Sequence, residues 1–224
     1  TLHILETVAF SHEPLGVTQI ALSVGIAKSA VFKHLYTLVD RGYLVQDHVS
    51  ARYRLGPKAW LIAKLAPAAD DIAKLAEPLM REARDNTGLA VVLSTPTAKS
   101  AFVLATFTGN GSIEIGVRPG SELELHASAQ GKIFLAYGPK SLTDSLTKRD
   151  LKPLTKYTIT SHDELMKQVG EARKNGFATA LEESLLGVNA LAAPIYDYKD
   201  NLIACIGLVG SIQYLPREID EKTI

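Results

Sequence analysis

Hydrophobic residues between positions 16 and 44 recur at the spacing of two short helices joined by a tight turn. The first helix is indicated by an apolar repeat of Val17, Ile20, Ala21 and Val24. Gly25 follows this repeat, at the point where helices commonly end in a left-handed residue. The second helix is predicted from Ala27 to Asp40, with an inner stripe of Val31, Leu35, Leu38 and Val39. Together the two segments predict a helix-turn-helix.

The face of the second helix opposite this stripe carries no acidic residue before Asp40. Its side chains are basic, hydroxyl or aromatic: Lys28, Ser29, Phe32, Lys33 and Tyr36. Such a face suits the major groove of DNA, although a solvated helix in a small bundle would show the same pattern. The distribution of net charge also agrees with DNA binding by the N-terminal region. Residues 1–66 hold seven basic and four acidic residues, a net +3, whereas the remainder carries −3.

Two short strand-like segments, Tyr43–Val45 and Tyr53–Leu55, follow the second helix and are joined by a polar loop. A β-hairpin directly after a helix-turn-helix is the winged variant of that motif. The hairpin would place Arg52 and Arg54 beside the duplex, where they could contact phosphates or the minor groove. Either arginine could equally be a solvated strand residue.

The pattern beyond the hairpin predicts a linker helix at 57–69 and a second domain at 70–224, after a winged helix-turn-helix domain at 1–56. Trp60 lies on the linker helix, where a partner chain or the second domain could bury it. In the second domain we expect helices at about 70–86, Ala127–Tyr137 and His162–Lys174. The predicted strands are Leu89–Ser94, Ala101–Phe107, Ile113–Val117, Phe177–Leu181, Ala190–Tyr196 and Leu202–Val209. This is an α+β fold with a mainly antiparallel sheet.

Composition sets limits on partners and compartment. A hydrophobic fraction of 46% with 21% charged residues is typical of a globular protein, and no apolar run is long enough to cross a bilayer. The single cysteine, Cys205, lies in an apolar strand and excludes an internal disulfide. We therefore expect a cytoplasmic protein with no membrane partner.

Candidate chemistry in the second domain centres on residues 126–132. Small residues at 127–131 leave the first helical turn open, which suits a carboxylate or phosphate, although close helix–sheet packing would explain them equally well. A P-loop is excluded because His126 stands where its first glycine is required. An enzyme centred on His126, Ser128 and Glu183 is an alternative, but the sequence offers no triad-like spacing. No Cys/His/Asp grouping has metal-ligand spacing, so no metal or cofactor is expected.

With both halves in view, the chain resembles the IclR family of bacterial transcription regulators along nearly its whole length. The N-terminal matches are Ile20-Ala21, Gly25–Ser29, His34-Leu35, Leu38, Arg41–Leu44 and Tyr53–Gly56. The C-terminal matches are residues 116–136, 176–197 and 203–211. The resemblance implies a winged helix-turn-helix, a linker helix that dimerises, and a GAF/PAS-like effector-binding domain. Family members bind small organic acids or aromatic catabolites, and the family usually continues as a helix beyond residue 224.

The matching blocks also imply an effector pocket and its partners. Nine residues are expected to form it: Ile115, Leu123, Ala129, Gln130, Ala180, Val188, Ala190, Gly207 and Val209. The backbone N–H groups of Ala129 and Gln130 would hold a carboxylate. Because polar pocket positions of some members are Ala180, Ala190, Gly207 and Val209 here, we expect a less polar cavity that favours an aromatic or hydrophobic acid.

The predicted partners follow from the same resemblance. They are an operator in double-stranded DNA, a small organic acid effector, and further copies of the chain in a homodimer or a dimer of dimers. A ligand-binding sensor that acts through protein contacts is the alternative outside DNA binding.

Overall fold

The computed structural model describes residues 1–11, 13–65, 69–111 and 114–216. The chain divides into two compact units, Thr1–Ala69 and Asp70–Ile224, each with its own hydrophobic core. Among the described residues, no helix is long and apolar enough to cross a membrane.

The first unit is a helix-turn-helix with a hairpin. Its elements are α1 (Leu2–Ala9), α2 (Val17–Val24), α3 (Lys28–Asp40), β1 (Leu44–Gln46), β2 (Tyr53–Leu55) and α4 (Pro57–Leu65). In the inner stripe of α3, Val31, Leu35 and Leu38 are buried and Val39 is partly buried; the stripe packs in one core with Ile4, Val8, Ile20, Ala21, Leu44 and Tyr53. The prediction of a helix-turn-helix followed by an antiparallel hairpin is confirmed.

Local hydrogen bonds set the entry to α2 and the turn to α3. The Gly16 N–H donates to Oε1 of Gln19 at 2.9 Å, which satisfies an amide that the helix itself leaves free. Gly25 closes α2 with φ +72°, a left-handed conformation in which a Cβ would be strained. The chain therefore reverses within three residues and starts α3 at Lys28.

The hairpin is joined to the helical core by a third segment. Leu15 exchanges two backbone hydrogen bonds with Tyr53, at 2.8 and 3.1 Å. At the tip of the hairpin, Oδ1 of Asp47 accepts from the Ser50 N–H at 2.6 Å and from the Ser50 hydroxyl at 2.7 Å. These bonds lower the pKa of Asp47, the amide bond being the larger cause.

The second unit is an antiparallel sheet with helices on its faces. Its elements are α5 (Ala69–Thr87), β3 (Ala90–Pro96), β4 (Ser100–Phe107), β5 (Glu122–Glu124), α6 (Ala129–Tyr137), α7 (Lys140–Leu146), α8 (His162–Asn175), β6 (Ala178–Leu181), β7 (Val188–Tyr196) and β8 (Leu202–Ser211). The six strands lie in the order β5-β4-β3-β8-β7-β6, and all their pairings are antiparallel.

Alternation along β3 separates the two faces of this sheet. Val91 and Leu93 pack with Met80 of α5, whereas Ala90 and Val92 pack with Val209 on the other face. Helix α6 is buried from Ala129 to Ala136, with only its last residue, Tyr137, partly exposed, and it packs against α8 and the sheet. Its first turn consequently lies inside the unit.

Two details of the second unit differ from the sequence-based expectation. The predicted strand Ile113–Val117 is wrong over its described part, because residues 114–117 pair with no strand, and Ile113 lies outside the described residues. Instead the Val117 carbonyl accepts a hydrogen bond from the Thr106 side chain at 2.5 Å. The chain then turns at Gly120, with φ +86°, and β5 begins at Glu122. Helix α7 was not predicted.

Candidate DNA-binding surface and effector cavity

The outward face of α3 is exposed, as its sequence pattern indicates. Lys28, Ser29, Phe32, Lys33 and Tyr36 are all exposed on this face, while Val31, Leu35 and Leu38 on the other side are at most 4% exposed. Because α3 has 3.6 residues per turn, its outer residues form two adjacent rows. One row is Lys28, Phe32 and Tyr36, and the other is Ser29, Lys33 and Thr37.

The hairpin presents two arginines in different environments. Arg54 is exposed on β2, opposite Val45 of β1. Arg52 is exposed as well, but its guanidinium donates to the Pro14 carbonyl at 2.9 Å. Arg52 therefore fastens the hairpin to the segment before α2 and keeps part of its donor capacity for another partner.

The linker helix α4 has no buried residue. Trp60 is 62% exposed, and Leu61, Ile62 and Leu65 on the same helix are also exposed. Burial of Trp60, whether by a partner chain or by the second domain, remains a prediction.

A cavity of about 140 Å³ lies beside the first turn of α6. Twelve residues line it: Ile115, Gly116, Val117, Leu123, Ser128, Gln130, Ala180, Ser184, Leu185, Val188, Ala190 and Val209. Seven of the nine residues expected at the pocket are among them. Ala129 and Gly207 are not, since the Ala129 side chain is fully buried in the core below the cavity and Gly207 lies under Gln130.

Gln130 is the polar side chain that the structure leaves unsatisfied at this wall. It is 1% exposed, and its Nε2 has no hydrogen-bond partner among the described residues. A Cβ on Gly207 would lie 2.7 Å from this Nε2, so the glycine provides the space that the carboxamide occupies. A buried amide without a partner costs free energy unless a ligand or water satisfies it.

The other polar groups at the cavity are already engaged. Ser128 caps α6, because its Oγ accepts from the Gly131 N–H at 3.1 Å and donates to the Glu124 carbonyl at 2.7 Å. Ser184 donates to the Ala127 carbonyl. No charged side chain is among the described residues that line the cavity. The cavity is therefore lined by apolar side chains and the Gln130 carboxamide. It lies beside the N-terminus of α6, where the first amides of a helix have no partner within the helix.

A buried ion pair anchors the loop that closes one side of the cavity. Nζ of Lys132 donates to Glu183 at 2.6 Å, to Gln168 Oε1 at 2.7 Å and to the Thr179 carbonyl at 2.9 Å. Burial lowers the pKa of Lys132, and the Glu183 carboxylate opposes this shift. Since Ser184 and Leu185 come directly after Glu183, the pair fixes the start of the segment that lines the cavity.

The three residues of the enzyme alternative are not assembled into a catalytic group. Glu183 is paired with Lys132. Ser128 faces the cavity at α6, whereas His126 lines a different cavity, and its Nε2 bonds to the Lys152 carbonyl at 3.0 Å. No group of three or more His, Cys, Asp or Glu side chains in the described part of the chain is placed to hold a metal.

A helix-turn-helix with an exposed basic face, joined in one chain to an α+β unit that holds a small apolar cavity, defines the class of ligand-responsive transcriptional regulators. The comparisons with known proteins give the family. The model described as "Bacterial transcriptional regulator IclR C-terminal" matches residues 65–223, and the one described as "IclR helix-turn-helix domain" matches residues 1–48. The chain belongs to the IclR family of bacterial transcriptional regulators.

Individual relatives agree with this assignment. The chain is 27% identical over 220 residues to the Pca operon regulatory protein of Acinetobacter baylyi, which covers 96% of this chain and 78% of that protein. It is 30% identical over 210 residues to the HTH-type transcriptional regulator BhcR of Paracoccus denitrificans, covering 93% and 75%. An IclR homolog from Microbacterium hydrocarbonoxydans, solved in complex with 4-hydroxybenzoate, has the same fold, with a TM-score of 0.82, 19% identity and coverage of 99% and 90%. The first two of these relatives are named as regulators.

Proposed function

We propose that α3 of this regulator enters the major groove of its operator and that a single-ring aromatic or hydrophobic acid in the α6 cavity controls that binding. Lys28, Ser29, Lys33 and Arg54 would contact phosphates or base edges. Arg52 would contact the DNA through the guanidinium N–H groups that do not bond to the Pro14 carbonyl. The protein would act in the cytoplasm, where its DNA partner is found.

The effector class is argued from the size and polarity of the cavity. A cavity of about 150 Å³ is enough to hold benzene, so about 140 Å³ fits one ring and not two. The apolar wall would bury the ring. The Gln130 carboxamide and the N-terminal amides of α6 would hold the carboxylate, since no cationic side chain among the described residues lines the cavity. The unsatisfied Gln130 at an apolar wall is the observation that carries this proposal.

The 4-hydroxybenzoate in the related IclR homolog supports a ligand of this size. The proposal of an oligomer rests on α4 instead. Its exposed Trp60, Leu61, Ile62 and Leu65 form an apolar surface that a second copy would bury. We therefore propose a homodimer, alone or paired into a dimer of dimers.

Calorimetry on the full chain tests the effector class. Benzoate and 4-hydroxybenzoate should bind, and glyoxylate and pyruvate should bind much more weakly because they leave the apolar wall uncovered. Gln130→Leu, a change of similar volume, should weaken benzoate binding roughly tenfold to a hundredfold. Gly170→Ala on α8, where a new Cβ meets nothing within 4 Å, is the control. Tight binding of glyoxylate with none of benzoate would refute the proposed class.

Gel shifts with DNA from upstream of the protein's own gene test the DNA-binding part of the proposal. If about eight phosphates are contacted by a dimer, log affinity should fall with log salt at a slope of about −7. Lys33→Ala should weaken DNA binding and leave benzoate binding unchanged. An affinity that does not depend on salt, or equal losses of both ligands, would contradict the two-unit scheme.

A further inference from the structure

Two aromatic rings are neighbours on the outer face of α3. Phe32 is 56% exposed and Tyr36 is 70% exposed. They are four residues apart and therefore lie one above the other on the helix surface. Lys28 extends this row toward the start of α3, and Lys33 lies beside it in the neighbouring row. The inference below rests on the groove-binding role proposed for α3.

The fold of the first unit does not require these rings. Val31, Leu35 and Leu38 complete the inner side of α3 and are at most 4% exposed. Within the described part of the chain, neither Phe32 nor Tyr36 has a ring–ring or cation–ring contact. Leaving this apolar area in water costs free energy that a partner could recover on binding.

The charges around the rings identify the partner. Lys28 lies at the N-terminal end of the aromatic row and Lys33 lies beside it, and this face carries no acidic side chain before Asp40. Lysines suit the phosphates at the edges of a groove, which leaves the rings over the base edges. The floor of the major groove offers one apolar group to such rings, the 5-methyl of thymine.

We propose that Phe32 and Tyr36 are specificity-determining residues that select operators with thymine opposite this row, by packing on the thymine 5-methyl groups. Phe32, which has no polar atom on its side chain, reads a methyl group only. Tyr36 packs its ring in the same way. The operator half-sites of this protein consequently contain thymine at the bases that face α3.

The test begins with duplexes selected from a random pool by the full-length protein. Each thymine of a selected site is then replaced by deoxyuridine, which removes only the 5-methyl group. One such change should weaken binding about fourfold, the effect of exposing one methyl-sized apolar group. The same change in both half-sites should weaken it about fifteenfold.

Variants connect the effect to the rings. Phe32→Ala should bind the thymine and deoxyuridine duplexes equally at the position Phe32 faces, whereas Tyr36→Phe should keep the discrimination because it keeps the ring. Arg54→Ala on the hairpin is the control: it should weaken both duplexes by the same factor. Circular dichroism melts should be unchanged for Phe32→Ala, since the side chain is largely exposed.

Three results would overturn the proposal. If duplexes are selected and wild-type protein binds every deoxyuridine form as tightly, the rings do not read methyl groups, although DNA binding stands. If Phe32→Ala dissociates the oligomer and leaves the thymine preference intact, this face is a protein contact. If no duplex is selected, the groove-binding role itself fails and this inference fails with it.

Discussion

Replacing Lys132 by methionine should strongly destabilise the second unit. The Lys132 side chain is 1% exposed, and its three N–H groups are each matched to one acceptor, on Glu183, Gln168 and Thr179. Methionine retains most of the apolar stem but removes the charge. The Glu183 carboxylate, 6% exposed, would then be buried without its cation.

The expected cost is about 3–5 kcal/mol, the range for removing one partner of a buried ion pair. That is a large share of the roughly 5–15 kcal/mol that stabilises a typical domain. For a unit of this size it corresponds to a fall of about 6–20 °C in melting temperature. Lys167→Met, on the exposed side of α8, should change stability by less than about 0.5 kcal/mol.

A double variant separates charge from packing. Lys132→Met with Glu183→Gln removes both charges, so it should be more stable than Lys132→Met alone. Scanning calorimetry and far-UV circular dichroism are the measurements, because Trp60, the only tryptophan, lies in the first unit and reports on that unit instead. A loss below about 1 kcal/mol for Lys132→Met, or a double variant no more stable than the single one, would refute this account of the pair.

The pH dependence of the same site has a defined sign. Burial holds the pKa of Lys132 below its ordinary value of 10.5, so the folded state releases this proton before the unfolded state does. The contribution of the site to stability therefore rises as pH increases from the folded pKa toward 10.5. The difference in unfolding free energy between wild type and Lys132→Arg, measured from pH 8 to 10.5, should follow this rise, since arginine stays charged.

Three further predictions concern single positions. Gly131→Ala should destabilise the second unit by about 1–3 kcal/mol, because its Cβ would collide with the Leu125 backbone. Gly170→Ala in α8 is the matched control and should stabilise by about 0.5–1 kcal/mol. Equal chemical-denaturation midpoints for these two variants would contradict the packing argument. An NMR titration of the Ser50 amide should give a midpoint below pH 3.8, because the pKa of Asp47 is lowered. The hydrogen bonds of Asp47 to Ser50 stabilise the hairpin fully above pH 3.8, and this stabilisation is lost as pH falls through the folded pKa. Burial raises the pKa of Cys205, so a disulfide reagent should label it at the rate of unfolding; labelling within minutes in native buffer would show that it is accessible.

Local signals in the sequence were enough to predict the helix-turn-helix. Gly16, Gln19 and Gly25 act on neighbours within four residues, and the inner stripe of α3 is read from a single helix. The cavity residues were predicted differently, from the resemblance to the IclR family, which gave seven of the residues that line it. Their role in effector binding and the likeness to GAF/PAS domains stay predictions.

Features that join distant parts of the chain were missed. Lys132 and Glu183 are 51 residues apart, and no periodicity in either segment indicates that they pair. The sequence led instead to Glu183 as a candidate catalytic residue. Similarly, residues 114–117 have the β-branched character of a strand, but a strand needs a partner, and Gly120 turns the chain so that Glu122–Glu124 takes the edge position beside β4.

The strand order has a consequence for how the protein is made. β3 and β8 lie next to each other at the centre of the sheet, and their paired residues Ala90 and Val209 are 119 positions apart. The ribosome completes the first unit roughly 7–30 s before it completes β8, at about 5–20 residues per second. During that interval a nascent chain already contains every residue of the first unit, with its helix-turn-helix, while the second unit still lacks a central strand. Truncation upstream of β8 is therefore expected to yield a DNA-binding fragment that no metabolite can regulate.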